Sequence, residues 1–326
     1  MTELENQEIL HQIYLEKYKT GEANKIIKLL DDANKQIIKE LKKTNEVYTK
    51  KRYEEIKKLL TNISKELKEN INNSTDLDGI IDYEIRKQKK LLGKAVDSFN
   101  IELTFPSLQQ VKTSALFAPV VEGMTYQSYL DNIQAGLFNQ WDTAVRTGYL
   151  TNETTQKIVS NIMGTVDNPG NIQTLRNSIY RNTRTVLQSF ASETRNAVYK
   201  KNDKYFEGYQ FFATLDRRTC VICAKLDGKV FKTLQDAPDL PIHYNCRCVL
   251  IPKIKGVEEI APVRPMKGGT TKGSVKYPEW LAMQTEKVQR EILGKSRYEL
   301  YKKGEPITAF TEGTEILTLK ELNGNL

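Results

Sequence analysis

All four cysteines of this 326-residue chain, and one of its two histidines, fall in the stretch CVICAKLDGKVFKTLQDAPDLPIHYNCRC, residues 220–248. No other feature narrows the possible local folds so far. Cys220 and Cys223 form a C-x2-C pair that a tight turn can aim at one ion, and after nineteen intervening residues His243, Cys246 and Cys248 add a second set. Zinc takes four tetrahedral nitrogen or sulfur ligands, and a structural site leaves no position open. Five donors therefore compete for four places. Cys246 and Cys248 point to one side of an extended segment, which suits a four-cysteine site with His243 beside it; three cysteines with His243 serve equally well.

Other uses of the same residues fit less well. A thioredoxin-like redox pair opens a helix in a βαβ unit, whereas CVICAKLDGK is expected to turn at Asp227-Gly228. A zinc deaminase places H-x-E ahead of P-C-x-x-C, and here the C-x2-C pair comes first. A hydrolytic zinc needs an open coordination position and a general base; the acids of interest, Asp216 and Asp227, read as loop-shaping. A structural zinc that staples two strands and a loop is the expectation.

The compartment supports this. No run of eighteen apolar residues occurs, and MTELENQEIL is acidic and polar, so neither a membrane helix nor a signal peptide is expected. Clustered thiols in a reducing compartment are metal ligands more readily than disulfides. The formal charge of +8 is modest for this length. It suits ordinary solubility or non-specific, salt-dependent contact with nucleic acid, not a dedicated sequence reader.

Residues 1 to about 97 read as long charged helices. Ile26, Leu30, Ala33, Ile37 and Leu41 recur at three- and four-residue steps, as do Tyr53, Ile56, Leu60, Ile63 and Leu67. Stripes this narrow require a partner: each other, the helices of residues 126–202, or a second chain. The expectation is an assembly arm, partly mobile until covered. Asp76 or Asp78 is placed to cap the helix after the polar break at 70–79. A boundary is expected at 98–124, helices at 126–146, 152–163 and 172–202, and a turn at 164–171. Strands are expected at 208–215 and 248–254, a mobile Gly/Lys/Thr linker at 263–276, and a helix at 277–294. The fold class that follows is mainly α, an elongated multi-domain helical protein with a small zinc-stapled α+β module at about 208–254. The domains are a helical arm (1–110), a central domain (111–255), and a basic linker with a helical tail (256–326).

LDRRTCVICAKLDGKVF followed by LPIHYNCRC closely resembles the signature of the phage Mu F-like head morphogenesis family, minor head proteins of tailed phages. The matching positions are Asp216, Thr219, Cys220, Cys223, Leu226, Asp227, Gly228, His243, Cys246, Arg247 and Cys248. Ile242 and Tyr244 depart from the usual pattern without touching a ligand position. The resemblance spans about residues 125–255, and YPEWLAMQTEKVQREILGKSRYELYKKG is similar to a segment that often follows it. Membership implies a virion protein in several copies, inside the head near the portal, with portal, capsid or scaffolding proteins as partners. It further implies no membrane contact while assembled, and DNA binding or ejection with DNA in some members. An enzyme is not expected. The rival, a metal-dependent nuclease acting on packaged DNA, needs acidic or histidine groups around an open metal, and the only histidines are His11 and His243.

Overall fold

Eleven α-helices follow one another among the described residues: α1 (Glu3–Leu41), α2 (Lys50–Ser74), α3 (Leu77–Val96), α4 (Leu108–Phe117), α5 (Tyr126–Leu150), α6 (Thr155–Met163), α7 (Ile172–Asn202), α8 (Val221–Leu226), α9 (Tyr277–Ala282), α10 (Glu286–Lys302) and α11 (Leu319–Gly324). Five strands concern the argument: β1 (Phe206–Phe212), β2 (Val230–Phe231), β3 (Val249–Ile254), β4 (Val263–Met266) and β5 (Gly269–Lys272). The structure, a computed structural model, describes residues 2–43, 49–99, 101–164, 170–257, 263–266, 269–312 and 315–324. Most of the turn expected at 164–171 lies outside them. The protein is mainly α, as the periodicity predicts. Its contacts divide it into two units, each assembled from separated segments: unit 1 comprises Met1–Lys17, Ile80–Ala115 and Gln188–Leu326, and unit 2 comprises Tyr18–Gly79 and Leu116–Leu187.

Unit 2 explains the narrow stripes. Ile26, Leu30, Ala33, Ile37 and Leu41 of α1 and Ile56, Leu60, Ile63, Leu67 and Ile71 of α2 are all buried. Their cover is α5, whose Ile133, Leu137, Trp141 and Val145 are buried in turn. Polar pins fix the register: Trp141 Nε1 donates to Asn34 Oδ1 at 2.7 Å, the Tyr53 hydroxyl donates to Asp142 Oδ1 at 2.7 Å, and Lys68 pairs with Asp131. Each fully buried leucine or isoleucine contributes about 1.5–3 kcal/mol relative to exposure. Nine of them on two helices give the segment a core of its own. Of the three partners expected for these stripes, the chain's own helices are the ones that cover them. The helix ends follow the sequence, with Thr49 accepting from Arg52 N, Asp76 accepting from Gly79 N at 2.8 Å, and Thr125 and Ser128 forming a capping box.

Unit 1 has a polar heart where the first turns of α1, the helix α3 and the C-terminal half of α7 meet. His11 Nε2 lies 2.6 Å from Glu84 Oε1, and Arg195 Nε donates to Glu84 Oε2 at 3.2 Å. Arg195 Nη1 also donates to Gln12, which donates to Gln188, and Gln88 donates to Glu8. All of these residues are buried. Burial alone would raise Glu84, but Arg195 and His11 outweigh it and hold its carboxyl below the usual range. For Glu8 burial wins over Arg195 and His11, and its carboxyl is raised above the ordinary 4.5. The stability tied to a protonated Glu8 is present in full below about pH 4.5 and is lost as pH rises through its raised native value. Glu8→Gln is therefore expected to raise the urea midpoint at pH 7 and leave it unchanged at pH 4. An equal gain at both pH values would reject this assignment.

The sheet of unit 1 is antiparallel with order β2-β1-β3. Phe212 stands opposite Val249 and Tyr209 opposite Pro252, with an irregularity between Phe206 and Gly208. Gly208 faces the Phe231 carbonyl, which a Cβ there would approach to 2.8 Å, so the close β2 edge requires glycine at this position. Two expectations fail here. Val263–Met266 and Gly269–Lys272 pair as the antiparallel strands β4 and β5 where a mobile linker was expected, and Arg264 is 2 % exposed. The tail helix is divided into α9 and α10, with a kink at Gly294 (φ 72°).

Candidate metal centre

The β1–β3 register builds the centre. Because Phe212 pairs with Val249, the chain leaving β1 toward Cys220 and the chain entering β3 from Cys246 and Cys248 emerge at the same end of the sheet. Cys220 is the N-cap of α8, and its Sγ accepts from Cys223 N at 3.4 Å. The C-x2-C pair thus opens a short helix instead of the expected plain turn. The turn at Asp227-Gly228 then ends it, with Gly228 at φ +80°, a conformation that favours glycine.

The five sequence-predicted donors converge as two triads that share Cys223. Cys220, Cys223 and His243 form one, and Cys223, Cys246 and Cys248 the other, with the ligand atoms of each triad within 4.8 Å of one another. His243 Nε2 lies 3.0 Å from Cys220 Sγ and 3.2 Å from Cys223 Sγ. Its Nδ1 donates to the Tyr244 carbonyl at 2.8 Å, so Nε2 is the nitrogen that faces the thiols and would offer its lone pair to an ion once deprotonated. Metal-binding histidines are commonly oriented by such a carbonyl. All four cysteines are free thiols; Cys223, Cys246 and Cys248 are buried and Cys220 is half-buried.

Their electrostatics show strain between like groups. The hydrogen bond with Cys223, and next His243, pull the Cys220 thiol down to about 4 against the effect of burial. Burial lowers His243, but Cys220 and Cys246 outweigh it and raise it to about 9. Cys223 is pushed far up by Cys220, Cys246 and Cys248, and Cys248 by burial. Four thiols so close cannot all ionise on their own. A divalent cation would relieve that repulsion and bind them as thiolates, so the donor set fits a soft tetrahedral ion such as zinc.

Buried ion pairs hold the donor loops. Arg247, between Cys246 and Cys248, forms a bidentate pair with Asp216; Arg247 Nη2 donates to Asp216 Oδ1 at 2.7 Å. Burial opposes ionisation of Asp216, but the Arg247 hydrogen bond and charge keep its carboxyl low. Asp227 accepts from both terminal nitrogens of Arg264 at 2.8 Å, from Ala213 N at 2.8 Å and from Tyr277 N at 2.7 Å. The expectation that these two acids shape loops agrees with this geometry. Arg264 and Tyr277 carry no sequence signal for such a role: each lies outside the cysteine stretch, and nothing local marks an arginine in a short strand as buried.

Residues 119–251 match the protein-family model described as Phage Mu protein F like protein. Over this stretch the chain is similar to the phage Mu F-like family. The F-like region contains all five donors, Asp216, Arg247 and Asp227, and ends within β3. The family it resembles is one of phage head-related proteins. No curated protein and no solved structure matches the chain. No helix among the described residues is long and apolar enough to cross a membrane.

Proposed function

We propose that this protein is a minor structural component of a tailed-phage head. It acts in head morphogenesis near the portal and touches packaged DNA without sequence preference. In this reading the cysteine centre holds one structural zinc, bound by Cys223 and three of Cys220, His243, Cys246 and Cys248. The observation that carries the proposal is the coincidence of the F-like region with a buried, thiol-rich donor set locked by Asp216–Arg247. A zinc held by four such donors has no position left for water, which favours a rigid docking module over the nuclease alternative.

Quantitative mass spectrometry of purified virions tests the placement, with zinc measured on the isolated protein. The expected result is a few copies per particle, depleted in particles assembled without portal, and about one zinc per chain. A copy number equal to the major capsid protein, or absence from virions, would overturn the placement. A metal-free protein purified without chelator would overturn the zinc assignment and leave the placement standing.

A further inference from the structure

A groove of about 290 Å³ lies in unit 1 between the first turns of α1 and one face of α3. Lys87, Lys90 and Lys94 recur at three- and four-residue steps and so rise along one side of it. Among the described residues none of the three forms an ion pair, while Arg86 beside them is engaged with Asp82. The floor is apolar, with Leu4 and Leu91 each 6 % exposed and Val257 next to them. Glu3 is the one carboxylate at the rim, and its Oε1 accepts from Gln7.

Two features together restrict the occupant. Three lysines with no ion-pair partner among the described residues call for carboxylates or phosphates. An apolar floor contributes nothing to a nucleic-acid backbone but suits a large apolar side chain. The volume, near the lower end for ligand pockets, holds one or two side chains, not a folded surface. We infer that this groove docks a short acidic, amphipathic segment of a partner protein. One apolar side chain of that segment sits on the Leu4–Leu91–Val257 floor, and flanking carboxylates reach Lys87, Lys90 and Lys94. The inference is independent of the metal centre, which none of these residues approaches in sequence.

Fluorescence anisotropy on the full chain tests it, with the labelled peptide Glu-Glu-Leu-Phe-Glu-Glu as probe. Saturable binding is expected, weakened about tenfold by Lys90→Glu with Lys94→Glu, and about tenfold when the central Leu-Phe is replaced by Ser-Ser at unchanged charge. Both lysines are exposed, so the variant is expected to keep the wild-type circular dichroism. No saturable binding, or equal binding of the Ser-Ser peptide, would overturn the inference. So would a short DNA duplex that binds more tightly than the peptide and loses affinity in the same variant. Tighter peptide binding after Glu258→Ala with Glu259→Ala would assign the groove to this chain's own acidic sequence, and the partner would be discarded.

Discussion

Cys223→Ser is expected to abolish stoichiometric zinc binding and to loosen the segment from Phe206 to Ile254. Cys223 is 1 % exposed and belongs to both donor triads, so no rearrangement of the other four donors preserves either triad. Structural zinc supplies about 10–16 kcal/mol of apparent folding energy in small modules. A serine oxygen replaces little of it. Zinc analysis with limited proteolysis reads the effect; wild-type zinc content with wild-type resistance would refute it. Parallel substitution of Cys220, Cys246 and Cys248 by serine and of His243 by alanine settles the ligand set, because the surplus donor is the one whose loss leaves zinc content unchanged. Acid should release the ion, since bound thiolates must take up protons as pH falls.

Arg264→Ala should be the most damaging change outside the cysteine cluster. It leaves Asp227, buried at the end of α8, with only the amides of Ala213 and Tyr277 as donors. Breaking one partner from a buried ion pair costs about 3–5 kcal/mol. Arg264 also donates to the carbonyls of Ala213 and Val275, which lose that donor with it. Chemical denaturation measures the loss. Pairing the change with Asp227→Asn should recover part of it, because the uncompensated charge is then gone. A loss below about 1 kcal/mol would mean that water replaces the guanidinium freely.

The legible parts of the sequence are those in which side-chain type and position coincide. Helix α7 begins and ends where its periodicity predicts, at residues 172 and 202, and the stripes of α1 and α2 are buried except for the half-buried Tyr53. The five donors were legible because clustered thiols with a histidine have few other uses. The first turns of α1 were not. Glu5, Glu8, His11 and Gln12 are buried there, and a hydrophobic pattern assigns such residues to solvent. Their partners Glu84, Gln88 and Arg195 are far away in sequence, so only the tertiary fold reveals them. The strand pair β4–β5 was hidden in the same way: glycine, threonine and lysine read as linker until Arg264 is seen bound to Asp227. Helix α4, inside the expected boundary, shows only Val111 and Ala115 on its buried face, too little for a pattern.

The interleaved segments of the two units impose an order on biosynthesis. Every residue of unit 2 has been translated by Leu187, whereas unit 1 needs Met1–Lys17, Ile80–Ala115 and the entire remainder from Gln188. Domains generally fold as their residues emerge from the ribosome, so unit 2 can mature early. Glu8, His11 and Glu84 are made long before Arg195, and they stay hydrated until it arrives. Arg264 and Tyr277, which brace the loop behind the cysteines, come later still. A fragment cut at the limits of the F-like region would carry all five donors and none of the N-terminal helices that complete their unit. Emergence of these bracing residues, not of the last cysteine, is the event that lets the cysteine-bearing unit close.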